Sequence, residues 1–221
     1  MFSTLTKAQA VTYIRTLLFS IFLVFLPVAP KISTVTILVV FVFSLIVDVK
    51  KIDLQQNYKT PQVLLLVLFL VYLVGLTYSE NLTFGWKDIE ARLTFLVFPV
   101  LFILFPVGKD VNRNTLLVSF ILGCLISSGL SYAKAYNCYQ SHGWEECWQG
   151  SYMAYKLHIN YLSIYYATAI FMVWSLFSEV KWLILVKGLI SVWLAYFIVK
   201  FDSLGAIIAT VMAVCVLFFY F

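Results

Sequence analysis

Long, continuously apolar blocks separated by short polar connectors constrain this chain more than any other feature. A block such as Pro61–Tyr78 or Trp182–Val199 runs for many residues with almost no charge. A water-soluble fold would leave such a segment nowhere to hide. A helix needs about 20 mostly apolar residues to cross a bilayer, and on that rule the sequence predicts eight spans. They are Thr12–Val28, Ile32–Val47, Pro61–Tyr78, Ile89–Phe105, Thr115–Tyr132, His158–Phe177, Trp182–Val199 and Ser203–Phe221. The expected fold class is all-α, a polytopic transmembrane bundle forming one domain over residues 1–221. Composition agrees: 63% of the residues are hydrophobic and 11% charged, against about 25% charged in ordinary soluble domains. A transmembrane β-barrel is excluded because its strands alternate apolar and polar residues. The net charge of +5 is no nucleic-acid footprint, since the cations sit singly at block ends, where anchoring explains them.

Proline and the basic residues order these blocks. Pro30-Lys31 forms a tight connector between the first two spans, so they read as a hairpin. Pro61 suits the first turn of the third, and Pro27, Pro99 and Pro106 mark ends or kinks. The first block carries no small-residue cleavage site, so it reads as a retained span. With the N-terminus inside, nine Lys and Arg residues fall on inner segments and six on outer ones, the direction of the positive-inside bias. Lys187 lies inside an apolar block, near enough to its inner end to snorkel. This orientation puts Tyr78–Arg92 and residues 133–157 on the outer face, the latter as an extracytoplasmic loop. Cys138 and Cys147 both lie in that loop, where an oxidising compartment would let them pair; two free thiols fit the sequence equally. Zinc is disfavoured because only His142 lies near both cysteines. Cys124 and Cys215 read as small core hydrophobes.

Three polar clusters could carry chemistry. In the first, residues 77–92, Lys87 and Arg92 stand at an outer helix mouth, where they could clasp an anionic head group; arginine suits bidentate phosphate contact. Asp88 and Arg92 are spaced to pair on one helix face, and Trp86 reads as an interfacial anchor. Asn81-Leu82-Thr83 fits a glycosylation sequon. In the second, His158, Tyr161 and Tyr165 share one face of a helix, a polar stripe that could meet a glycan hydroxyl or move a proton. The plain alternative for both is a structural cluster at the membrane interface. The third, Lys200-Phe201-Asp202-Ser203-Leu204-Gly205, opens the last span. Glu145 and Glu146 are adjacent on the loop, with nothing to fix the separation that a catalytic carboxylate pair needs.

These clusters, in this order, resemble the O-antigen ligase family of bacterial membrane glycosyltransferases, especially its Bacteroidetes-type members. Tyr78-Ser79-Glu80-Asn81-Leu82 followed by Phe84-Gly85-Trp86-Lys87-Asp88 is close to a phrase that recurs there. His158 to Tyr165 is similar to the family's "HPSYLSxY", with Ile159 replacing its proline and Asn160 standing near its serine. Ser203-Leu204-Gly205 stands where the family has "SRxG", so Leu204 replaces an arginine thought to engage the lipid diphosphate. The resemblance implies transfer of a glycan from an undecaprenyl-diphosphate carrier to lipid A core or a similar acceptor, in the bacterial inner membrane. It implies no cofactor or metal, and donor or glycan contact by Lys87, Arg92, His158 and Tyr161. Family members are longer and carry their catalytic histidine in a later outer loop, so the chain reads as their front part, inactive alone. A polymerase of the same architecture, a lipid-linked glycan transporter and a non-catalytic remnant are the alternatives.

Overall fold

The computed structural model describes residues 7–48, 60–79, 81–104, 111–176 and 181–202, with 205, 207, 208 and 211. Every regular element among them is helical. The order is α1 (Lys7–Phe25), α2 (Pro30–Asp48), α3 (Thr60–Gly75), α4 (Leu82–Ala91), α5 (Thr94–Leu104), α6 (Arg113–His142), α7 (Gly150–Met153), α8 (Ile159–Ser175) and α9 (Lys181–Lys200). One-turn 3-10 helices cover Leu76–Tyr78 and Glu145–Trp148. Among the described residues, three segments are long and apolar enough to cross a membrane: Pro30–Val47, Arg113–His142 and Trp182–Lys200; Gln9–Phe25 and Gln62–Tyr78 are shorter apolar helices.

The chain divides into two compact units, residues 1–15 with 38–111, and residues 16–37 with 112–221. In the first, α3 packs on α5, with the Tyr72 and Phe95 rings 6.5 Å apart. The expected fourth span, Ile89–Phe105, is not one helix there. It breaks at Arg92-Leu93, where the amides of Arg92 and Phe95 bond three residues back, to the Ile89 and Arg92 carbonyls. The local sequence is apolar enough to run on. A tertiary contact of Arg92, given below, accompanies the break instead. Pro99 sits inside α5 and withholds one further backbone donor.

The second unit is built on α6. Asn112 caps its start, Oδ1 accepting from the amides of Asn114 and Thr115 at 3.0 and 3.4 Å. The helix does not yield to a loop at Ala133 as expected. It continues to His142, because nothing from Ala133 onward breaks it until Gly143. Gly143 adopts φ 69°, and its amide bonds to the Tyr139 carbonyl at 2.7 Å, a left-handed cap that glycine accepts at little cost. Its 30 residues extend about 45 Å at 1.5 Å per residue, more than the roughly 30 Å hydrocarbon thickness of a bilayer. The expected irregular segment is thereby cut back to the residues after His142.

Three helices form the core of this unit. Leu162, Tyr166, Ala169 and Val173 recur at helical spacing along α8 and are buried. They join Phe120, Ile121 and Cys124 of α6 with Leu194, Phe197 and Ile198 of α9, and Phe201 beyond it. The Tyr166 ring meets Phe197 edge-on at 6.0 Å and stacks on Phe201 at 5.8 Å. On another face of α6, Gly123 lies so close to α1 that a Cβ there would stand 2.5 Å from the Val24 carbonyl oxygen. Pro30 and Lys31, expected as a connector, form the first turn of α2, where proline's fixed φ and missing donor cost nothing. The Lys187 ammonium donates to the Leu176 carbonyl, satisfying an acceptor just past the C-terminus of α8, where cations are favoured. Most of the eighth expected span, together with Cys215 and Pro106, lies outside the described residues.

Candidate membrane-surface site

In the first unit, the end of α3 turns through Leu76–Tyr78 into α4. Thr77 Oγ1 donates to the Val74 carbonyl at 2.7 Å, Ser79 Oγ to that of Asn81 at 3.1 Å. Asn81, the sequon asparagine, uses Oδ1 to accept from the Phe84 amide at 3.2 Å and so caps α4. Gly85 is packed against the Leu76 side chain so tightly that a Cβ would collide with it. Between these elements lies an open cleft of about 340 Å³, lined by Val71, Tyr72, Gly75, Leu76, Ser79, Gly85 and Ile89. The guanidinium of Arg92 lies over the Tyr72 ring, 4.4 Å from its centroid, a cation–π contact that fixes the charge beside a cleft-lining residue. Lys87 belongs to α4, but its side chain, like those of Asp88 and Glu90, lies outside the described residues.

In the second unit, His158 stands just before α8 rather than on it. Its backbone is extended, and Nδ1 accepts from the Asn160 amide at 3.3 Å. The ring therefore acts as an N-cap, with Nδ1 unprotonated in that bond. Tyr161 is 60% exposed and meets the His158 ring edge-on at 6.4 Å. Tyr165, expected on the same stripe, instead packs edge-on against Phe120 at 6.1 Å. The stripe is split because Tyr165 turns to the ring of Phe120 while His158 and Tyr161 stay together. Arg92 and His158 belong to different units.

The segment that follows α6 is held to that helix by three kinds of link. Cys138 and Cys147 form a disulfide with Cα atoms 5.7 Å apart. Lys134 Nζ donates to the carbonyls of Ala154 at 2.7 Å and Ser151 at 3.3 Å. The Tyr155 amide donates to Ser131 Oγ at 3.2 Å. Cys147, Met153 and Ala154 are buried beneath. Glu145 and Glu146 lie on the exposed 3-10 turn. His142 bonds through Nδ1 to the Cys138 carbonyl at 3.2 Å and lies 4.9 Å from the Trp144 ring. Among the described residues, no three His, Cys, Asp or Glu side chains gather as a metal site. Ser203 and Leu204 fall outside the described residues.

Sequence reasoning missed the serines of α6. Ser127 Oγ donates to the Pro27 carbonyl at 2.9 Å and accepts from Tyr166 Oη at 3.2 Å. Ser128 Oγ accepts from Trp193 Nε1 at 2.8 Å. Their signal was present in the small residues Gly123, Ser127 and Ser131, spaced four apart on one helix. The chain matches no known protein-family model, no curated protein and no solved structure.

Proposed function

We propose that the chain is the membrane-embedded part of a glycan-transferring protein of the O-antigen ligase type, in a bacterial inner membrane. In this reading it has eight spans with the N-terminus inside, and the Cys138–Cys147 segment faces the oxidising side. Its donor is a glycan on a polyprenyl diphosphate and its acceptor a lipid such as lipid A core. The observation that supports the reading best is Arg92 held over Tyr72 beside the apolar cleft. That arrangement offers a fixed cation for a diphosphate and apolar surface for the first units of the lipid chain. Lys87, from the same helix mouth, adds a second charge. The diphosphate is the leaving group, so stabilising its developing charge is the principal chemical task. His158 and Tyr161 contact glycan at the outer mouth of α8.

The test is binding of undecaprenyl diphosphate to the protein in nanodiscs. Arg92→Ala with Lys87→Ala is expected to weaken it about tenfold or more, the scale of losing charge-assisted contacts. Unchanged binding by the double variant would remove Arg92 and Lys87 from the donor site.

A further inference from the structure

Four aromatic rings of the second unit form a file of successive contacts, and the last of them, Trp193, is anchored in the core by Phe197, edge-on at 5.2 Å. The Trp193 ring lies 6.2 Å from Tyr132, Tyr132 lies 5.2 Å from Trp148, and Trp148 lies 6.2 Å from Tyr139. Trp193, Tyr132 and Tyr139 are each at least 40% exposed, and Trp148 is half-buried. Tyr132 and Tyr139 are seven residues apart on α6, so they share a face and the file advances about 10 Å along the helix. An interfacial aromatic belt occupies one membrane level. This file runs across levels, from within α9 to the last turns of α6.

The rings are also pinned, as a belt does not require. Trp193 is held by its indole N–H on Ser128. Trp148 is placed between the two tyrosines by the disulfide of its neighbour Cys147 to Cys138, one residue from Tyr139. Exposed Glu145, Glu146 and Gln149 flank Trp148 in sequence. Aromatic faces with carboxylate and amide acceptors nearby match the two-sided chemistry of a sugar ring, apolar C–H on its faces and hydroxyls around its edge.

We propose that Trp193, Tyr132, Trp148 and Tyr139 form a track on which a glycan chain lies, its sugar rings stacked on successive aromatic faces. The track rests on the orientation given above, which places the α6 end outside. It adds to that reading a surface for the length of the glycan, beyond the contacts of His158 and Tyr161 and separate from the diphosphate contact of Arg92.

The experiment is saturation-transfer NMR between the protein in nanodiscs and the surface polysaccharide released by mild acid from the parent cells. Transfer to sugar ring protons is expected for the native chain. Tyr139→Ala should weaken it about fivefold, the scale of one aromatic contact, while Tyr139→Phe retains it, because stacking needs the face and not the hydroxyl. Intact disulfide in both variants, read by mass, shows that the outer segment still folds. No transfer to the native chain, or equal transfer to Tyr139→Ala, overturns the track and assigns the file to the membrane interface. Transfer unaffected by Arg92→Ala, with diphosphate binding also unaffected, would discard the donor site and leave the track standing.

Discussion

Tyr166 and Ser127 join two apolar helices through a hydrogen bond that no solvent reaches. The tyrosine hydroxyl donates to Ser127 Oγ at 3.2 Å, and both side chains are fully buried. Ser127 donates onward to the Pro27 carbonyl, so one serine ties α8 to the end of α1. Interhelical hydrogen bonds of this kind average about 0.6 kcal/mol in membrane proteins, with a maximum near 1.7. Tyr166→Phe should therefore destabilise by about 1 kcal/mol, and Ser127→Ala by a similar or larger amount because it breaks both links. Steric-trapping stability measurements in bicelles read both, and the double variant should lose less than the two singles added.

Gly123 tests the α6–α1 contact. Its absent Cβ would stand against the Val24 carbonyl oxygen and Cα, backbone that cannot turn aside. Gly123→Ala is expected to cost about 1–3 kcal/mol, the range for overpacking. Gly129, on the same helix with nothing within 4 Å of a Cβ, is the control. Gly129→Ala should be neutral or stabilise by up to about 1 kcal/mol through helix propensity.

The disulfide closes a short ring over a sequence separation of 9. Alkylation without reductant should leave Cys138 and Cys147 unmodified, and reductant should add two labels, both detected by mass. Cys138→Ser should destabilise the segment after α6 by about 2–3 kcal/mol on the chain-entropy scale. Labelling of both thiols in protein never exposed to reductant would contradict the pairing.

Lys134 supports the same segment by a different means. Its ammonium reaches the Ala154 and Ser151 carbonyls across a sequence separation of 20 and 17. Lys134→Met keeps the aliphatic stem and removes the donors, with an expected cost of about 1 kcal/mol. Hydrogen exchange should quicken at Met153–Tyr155 while α8 amides stay protected. Uniform exchange across both would contradict a local clamp.

The apolar blocks made the helices legible because hydrophobic length is a local property. Blocks at Thr12, Ile32, Pro61, His158 and Trp182 all stand as helices within a few residues of where they were expected. What failed was decided by contacts distant in sequence or by capping. The break at Arg92 accompanies stacking on Tyr72, which apolar counting does not register. The end of α6 was set by a left-handed glycine at 143 rather than by the polarity of Ala133 to His142. His158 was legible as a helix-mouth residue, but its role as a cap depends on one backbone angle. The partner of Lys187 was likewise not legible, because the Leu176 carbonyl belongs to the cap of the preceding helix.

The proposed function is tested most directly in the parent cell, by deleting the gene and resolving its lipopolysaccharide on a gel beside an assay of lipid-linked glycan. The account predicts loss of the long-chain ladder with accumulation of polymer on the undecaprenyl carrier. Single-repeat caps would assign a polymerase instead, and an unchanged ladder with no accumulated carrier-linked polymer would contradict transfer to lipid A core.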